Sequence, residues 1–515
     1  MVSACLALVP LAYLVVRVVD AGAVKVIETL ARPRTLETVA TSVSLVVVVV
    51  AACLLLGMPI AWLLARAVLP LRRLWLVAAA LPLAIPSYVA AYAWIAQFPA
   101  MSGFWAAALV LTLVSMPYVV IPVVAALRAA DPAMEEVARS LGRSPRSAFA
   151  AATLPQAWPA AAAGSLLVAL YVLSDFGAVA LFRVDAFTRV IYTSYRASFD
   201  RTTAAVLALV LVVLAATLVL LERRIRGRSR RWRTASGAAR QAVDVRLGRW
   251  ARVAAVGFLL LVTFLALGVP LGSLVARLLE GTRRPLDPGE LLTATVNSAG
   301  VSLAGAILAV ALALPVAVLA ARYRSRSVGA IETAAYSGHA LPGVVVGLSL
   351  VFLTLNVMPA AYQTVVTLAF AYAVLFLPKS IGATRSAVSA VPPILEQAAR
   401  TLGRTPFAAW RATTLRIAWP GVAAGGLLVL LTAMKELPAT LMLRPTGLDT
   451  LATELWSRTE VAAYGAAAPY ALALIALAAV PAWLMAMGML RHQRPAAAGG
   501  DRAGADAAPV DMVTG

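Results

Sequence analysis

Apolar residues recur along this chain in blocks of 16 to 26, and most charged residues fall in the stretches between them. Residues 42–65, SVSLVVVVVAACLLLGMPIAWLLA, run for 24 positions without a charge. About 20 such residues cross a bilayer as a helix. The helix is the expected spanning element because lipid offers no partner to an open strand edge. Twelve blocks qualify: 4–19, 42–65, 74–97, 104–127, 161–182, 203–221, 251–276, 297–320, 334–357, 361–382, 422–443 and 465–488. The pattern predicts an all-α polytopic membrane protein with about twelve transmembrane helices. The first block lacks the basic stretch that precedes a secretory signal, so it reads as a first membrane helix.

The polar segments repeat. EEVARSLGRSPRSAFAAATLPQAWP (135–159) and EQAARTLGRTPFAAWRATTLRIAWP (396–420) align without gaps and share 14 of 25 positions. Pro59, Arg66 and Pro86 match Pro315, Arg322 and Pro342 at one constant spacing of 256, and Pro117, Gly142, Trp158 and Gly164 match Pro378, Gly403, Trp419 and Gly425 at another of 261. The chain therefore reads as two pseudo-symmetric six-helix halves, 1–221 and 251–490. A basic linker joins them at 222–250, and an Ala/Gly-rich tail over 491–515 has the composition of a disordered cytoplasmic segment. Parallel repeats of this kind imply an axis along the membrane normal.

Composition agrees with the hydropathy. Of 515 residues, 62% are hydrophobic and 13% charged, against about 25% charged in a soluble domain. The net charge of +21 would suit nucleic acid, but the Lys and Arg lie in short segments between apolar blocks, the positive-inside pattern. Nucleic-acid binding is set aside on that ground. With the linker in the cytoplasm and the spans alternating, most Lys and Arg fall inside and both termini are cytoplasmic. One tension remains: Arg17 and Lys25 lie at the outer end of the first helix. Cys5 and Cys53 both sit in apolar blocks and read as structural thiols. His339 and His492 are the only histidines, too few for a soft-metal cluster; His339 reads as a helix-packing residue.

Each repeated loop has a legible build. Asp131-Pro132 supplies an N-cap followed by proline at the first helical position. Met134, Val137 and Leu141 then share a face, as do Leu395, Ala398 and Leu402. Gly142 and Gly403 stand where a left-handed C-cap belongs, and Ser144-Pro145 and Thr405-Pro406 restart a helix. Such short helices are not stable alone, so each needs a surface to dock on. The i,i+4 pairs Glu135–Arg139 and Glu396–Arg400 fit a solvated helix face, each contributing about 0.2–0.5 kcal/mol. A solvated face explains less well why both copies keep the glycine, the restart and the AWP exit.

The loop resembles that of ABC-importer permeases, which reads Glu-Ala-Ala, three residues, Gly, then about nine residues to Ile-x-Leu-Pro. EVARSLG (136–142) followed by Leu154-Pro155 fits; the second copy departs, with Gln397 in place of the glutamate and Arg416 in place of the proline. The resemblance implies a coupling helix that docks on a cytoplasmic ATPase, with Glu136, Ala138 and Gly142, and in the second half Ala399 and Gly403, in that role. A carboxylate on a docked helix can pair with an ATPase arginine. Glu135 belongs to the same loop, and Glu396 is the residue that could carry the charge Gln397 lacks. The whole chain, including LSDFGAVALF (173–182) and KELPATLMLRPTGLDTLATELW (435–456), is similar to fused ferric-iron importer permeases and also to thiamine permeases.

Asp175 and Glu436 occupy matched positions within blocks five and eleven. An ionisable residue inside a span is costly and usually faces a cavity or a partner. Two readings stand: carboxylates lining a cation path, with Tyr171 one turn from Asp175 as a further hard ligand for Fe³⁺, or structural pairing and interfacial placement. No firm metal site is assigned. Pro86 and Pro342 lie inside blocks three and nine, where proline kinks a helix, as a gate hinge or a static kink. Residues 160–164 and 421–425 give small-xxx-small spacing for close helix packing.

The expected protein is thus the permease of an ATP-driven importer. It carries no G-x-x-x-x-G-K-[ST] loop, so ATP is expected to be used by partner ATPase subunits, two of them, with no cofactor bound here. An extracytoplasmic solute-binding protein would deliver the solute. A proton-coupled secondary transporter would concentrate ionisable residues mid-membrane and needs no such loop; a membrane enzyme would need a convergent catalytic set, which is not evident.

Overall fold

The computed structural model describes residues 1–196, 200–229, 245–280, 287–336, 338 and 341–492. His339 and most of the linker and tail lie outside them. The described chain is helical apart from an isolated bridge between Ala67 and Val245. The first half comprises α1 (Val2–Asp20), α2 (Ala23–Ala31), α3 (Pro33–Arg66), α4 (Arg72–Ala80), α5 (Ser87–Gln97), α6 (Gly103–Ser115), α7 (Pro117–Ala129), α8 (Pro132–Ser140), α9 (Pro145–Ala148), α10 (Leu154–Ser174), α11 (Gly177–Leu181), α12 (Phe187–Arg196) and α13 (Arg201–Ser229). The second comprises α14 (Arg249–Thr263), α15 (Val269–Glu280), α16 (Pro288–Arg322), α17 (Arg326–Ala335), α18 (Gly343–Val357), α19 (Val365–Ser389), α20 (Ile394–Thr401), α21 (Pro406–Trp410), α22 (Arg416–Ala433), α23 (Pro438–Leu443), α24 (Leu451–Glu460) and α25 (Tyr464–His492).

Among the described residues, ten helical runs are long and apolar enough to cross a membrane, eleven if a bent pair is one span. That pair, Arg72–Ala84 and Ser87–Gln97, turns through 94°. Here the structure corrects the expectation of a kinked but continuous helix. Pro86 is the N-cap of α5, and Ile85 before it is extended at φ −87°, ψ 120°, as the residue before a proline is driven to be. Pro342 likewise opens α18 rather than bending it. The 15 residues of α18 rise about 22 Å, short of a hydrocarbon core of about 30 Å. Blocks three and nine are therefore broken elements, matched between the halves.

Blocks five and eleven are broken too. α10 ends at Ser174 and α22 at Ala433, and the chain restarts as α11 and α23. The apolar pattern runs through these breaks, so hydropathy alone makes each a single span.

Each half is built on three crossing helices, α3, α7 and α10 in one and α16, α19 and α22 in the other. Small residues allow the approach. A Cβ on Gly164 would collide with the Tyr118 carbonyl oxygen and lie 2.9 Å from the Val119 Cα. Gly425 is looser, its nearest neighbour being the Ala383 Cβ at 3.0 Å.

The first span of each half also packs on the opposite half. α1 packs on α17 and α18 of the second half, and α15 packs on α5 of the first. Both crossings carry an arginine: the Arg17 guanidinium lies 5.6 Å from the centre of the Phe352 ring, and Arg277 donates to the Ala96 carbonyl. The charges that strained the positive-inside pattern are paired locally, Arg17 with Asp20 at 3.9 Å and Lys25 with Glu28 at 3.8 Å.

Candidate functional site

The repeated loops fold as short helix, glycine turn and helix restart. Asp131 accepts from the Ala133 amide at 2.9 Å and caps α8. Its counterpart in the second half is proline, and α20 starts from Pro393 without a side-chain cap. Gly142 and Gly403 are left-handed, at φ +84° and +83°. In both, the next amide reaches back to close the turn, Arg143 to the Ala138 carbonyl and Arg404 to the Ala399 carbonyl, each at 3.2 Å. Ser144 and Thr405 cap the restarted helices. Each restart runs through a wide π-turn, Phe149–Thr153 or Arg411–Leu415, into the next long helix.

The carboxylates do not form the i,i+4 pairs that the spacing suggests. Glu135 turns inward, taking a 2.5 Å bond from Arg66 at the end of α3 and a 2.9 Å bond from the Thr153 hydroxyl. Glu396 does the same with Arg322, at 3.0 Å, and with Thr414. Arg322 also donates to Thr414 at 3.1 Å and to the Val391 carbonyl at 2.9 Å. An arginine brought in by a long helix offers a buried, charge-assisted bond, which outweighs an exposed helical pair of a few tenths of a kcal/mol. It follows that Glu396 does not replace the charge missing at Gln397; it is the equivalent of Glu135 and faces the same way.

Other side chains of each loop face outward. Glu136 and Gln397 are exposed, as are Met134 and Val137, while Ala138 is half-buried and Ala399 buried. Leu141 and Leu402 are 79% and 83% exposed, so the apolar corner of each loop has no partner among the described residues. Sequence reasoning found the loops but missed Arg66, Arg322, Thr153 and Thr414 as their anchors. The matched spacing of Arg66 and Arg322 was the available signal.

The second pair of candidates sits at the broken spans. Asp175 caps α11, accepting from the Ala178 amide at 2.9 Å and the Val179 amide at 3.4 Å, and it also takes a hydrogen bond from the Ser87 hydroxyl at the start of α5. Glu436 caps α23 through the Ala439 amide at 3.0 Å. Its carboxylate lies against Gly343, where a Cβ would collide with Oε1. Serine with aspartate in one half is thus glycine with glutamate in the other. These carboxylates bond backbone amides at helix starts, the use expected of an acceptor at an N-terminus, and no hydrogen bond joins the two.

Tyr171 packs its ring on Tyr118 with centroids 5.7 Å apart. Tyr88, at the start of α5, has a buried hydroxyl without a hydrogen-bond partner. The neighbouring Lys435 reaches across the halves to the Leu83 carbonyl at 3.3 Å. Among the described residues, no three His, Cys, Asp or Glu side chains gather as a metal site.

Two halves of continuous and broken spans, each with one loop anchored to its own long helices, match a known design. Residues 57–231 and 313–488 both match the family described as binding-protein-dependent transport system inner membrane component. The chain belongs to this family. The permease is 36% identical to the Fe(3+)-transport system permease protein FbpB 2 of Haemophilus influenzae over 478 residues, 92% of this chain and 94% of that one. It is 35% identical over 187 residues to the molybdenum transport system permease protein ModB of Mycobacterium tuberculosis, 33% of this chain and 71% of that one. A 28% identity over 196 residues links it to the sulfate transport system permease protein CysW of Escherichia coli, 35% of this chain and 67% of that one. The permease is a multi-pass inner-membrane component of a binding-protein-dependent transporter.

Proposed function

We propose that this chain is the two-half pore of an ABC importer for ferric iron. Similarity to an Fe(3+)-transport permease along both halves supports this reading, since the molybdenum and sulfate relatives match only about a third of the chain. Iron arrives on an extracytoplasmic binding protein. Two ATPase subunits, one on each loop, supply the work and hold the ATP, and no cofactor is bound by the permease itself. Residues 1–221 and 251–490 form the halves, with the linker 222–250, the tail 491–515 and both termini in the cytoplasm.

Glu136, Ala138, Gly142, Ala399 and Gly403 shape the docking faces. Closure of the ATPase pair draws α8 and α20 together, and the halves swing between outward- and inward-open states by rigid-body rotation. Pro86 and Pro342 set the joints at which α5 and α18 change direction. Asp175 and Glu436 fasten α11 and α23 at those joints, which puts them beside the route between the halves.

Reconstitution with the partner ATPase and iron-loaded binding protein tests this. ATP-dependent uptake of radiolabelled Fe³⁺ is expected. Uptake without any ATPase, driven by a proton gradient, would instead identify a secondary transporter. ATP-dependent uptake of thiamine or another solute, but not iron, would keep the importer and remove the iron.

A further inference from the structure

Arg66 is a buried cation and Arg322 a half-buried one, and docking of the loops does not itself require either. Each is the last residue of a long helix, α3 of 34 residues and α16 of 35, and each points its guanidinium at the carboxylate of the adjacent short helix. The side chains of Arg66 and Glu135 are 5% and 17% exposed. Among the described residues, neither Nε nor Nη1 of Arg66, nor Nε of Arg322, has a hydrogen-bond partner. Arg66 is therefore held chiefly by Glu135, whereas Arg322 shares its bonds among Glu396, Thr414 and the Val391 carbonyl.

We propose that Arg66–Glu135–Thr153 and Arg322–Glu396–Thr414 are positioning clamps that make each coupling helix move as one body with the ends of the two spans beside it. The proposal rests on the coupling role given to the loops above.

The mechanical case comes from the backbone. α8 is joined to its neighbours by extended Ala130 (φ −68°, ψ 136°) on one side and left-handed Gly142 on the other. Both are soft joints, and a push on α8 would be absorbed there. Glu135 bypasses both, tying the first turn of α8 to α3 through Arg66 and to the entrance of α10 through Thr153. Those two helices belong to the crossing core of the half, so a displacement of α8 becomes a displacement of the half. α20 is tied to α16 and to the entrance of α22 in the same way. The two π-turns differ in register by one residue, yet each delivers its threonine to its glutamate. π-turns recur at functional sites because the extra residue re-aims a side chain.

The test uses the full chain with its ATPase and iron-loaded binding protein in proteoliposomes, and reads iron delivered per ATP hydrolysed together with ATPase retained on the purified permease. Glu135→Gln keeps the shape and the bond from Thr153 while removing the charge. Expected is retained ATPase, continued hydrolysis and a fall of about tenfold in iron per ATP, the scale of one lost charge-assisted bond. Glu396→Gln should repeat it, Thr153→Val should give a smaller loss, and Glu135→Asp should recover part of it. An unchanged ratio in Glu135→Gln overturns the clamp. So does loss of the ATPase, which would mean that Glu135 touches the motor rather than Arg66. A second readout does not depend on iron: spin labels on Leu55→Cys and Leu141→Cys, in a Cys5→Ser background, should give a narrow distance distribution that broadens with Glu135→Gln. A distribution left narrow overturns the clamp whatever the solute, whereas wild-type vesicles that import no iron overturn only the iron assignment.

Discussion

Replacing Gly343 by serine should damage the second half, and adding Glu436→Asp should repair part of the damage. The two halves solve one packing problem with different residues. In the first, Ser87 at the start of α5 donates to Asp175, and Gly177 opens α11. In the second, the matched positions hold Gly343, Glu436 and Pro438. The longer carboxylate and the proline ring fill the space that serine would need. A Cβ on Gly343 would collide with Glu436 Oε1 and lie 3.1 Å from both the Glu436 Cδ and the Pro438 Cγ. Serine there must displace the carboxylate, which then loses its 3.0 Å bond to the Ala439 amide. A hydrogen bond to a charged group contributes about 1.5–3 kcal/mol, and crowding against Pro438 adds about 1 kcal/mol.

Aspartate withdraws the carboxylate by one methylene and lets the new hydroxyl donate to it, as Ser87 does. A double-mutant cycle should therefore give a favourable coupling of about 1–2 kcal/mol between Gly343→Ser and Glu436→Asp, with Pro438→Gly increasing the recovery. Denaturant unfolding of the purified permease in mixed micelles measures it. A Gly343→Ser variant within about 0.5 kcal/mol of the parent, or two substitutions that simply add, would refute the packing argument.

Other outcomes follow from the same geometry. Gly164→Ala should destabilise the first half by about 1–3 kcal/mol because the methyl meets the backbone of α7, while Gly425→Ala, facing a side chain at 3.0 Å, should cost less; unfolding midpoints of the two variants, compared directly, check this. Gly142 has open space where a methyl would stand, so Gly142→Ala should show only the left-handed backbone penalty of about 1–2 kcal/mol and still couple, whereas Gly142→Pro should uncouple hydrolysis from uptake in vesicles. Cysteines placed one at a time at Leu141 and Leu402, in a Cys5→Ser background that keeps only the buried Cys53, should react with a membrane-impermeant maleimide in inverted vesicles and not in intact cells. Labelling from outside would reverse the topology.

The spans, the two halves and the glycine-ended loops were legible in the sequence because each rests on local signals: apolar length, a repeated spacing, a cap residue, a residue able to take positive φ. The breaks at Pro86, Pro342, Asp175 and Glu436 were visible as residues but not as breaks. Apolar residues continue on both sides, and a proline in an apolar run reads equally as a kink or a start. Whether Ile85 is helical or extended depends on what α5 packs against. The Arg66–Glu135 bond joins residues 69 apart, and sequence offers Glu135 a nearer partner in Arg139. Only the fold, by bringing the end of α3 beneath α8, decides between them. The crossing of α1 onto the second half leaves no local trace at all.

The two loops are alike on the inside and different on the outside, and that division says what each surface is for. Inward, arginine, glutamate and threonine recur at matched positions, the glutamate accepting from both of the others in each half, and the glycine turns agree to within a degree in φ. Outward, Glu136 becomes Gln397, Met134 becomes Leu395 and Val137 becomes Ala398. Transmission into a half is set by that half's own helices, which obey one geometry, so its anchors have little room to differ. Docking is set by whatever lies outside. If one ATPase surface served both loops through the same carboxylate contact, Gln397 would leave one motor arginine without its anion. On the docking role proposed for the loops, the divergence puts the asymmetry of the transporter at their outward faces and keeps it out of the proposed clamps.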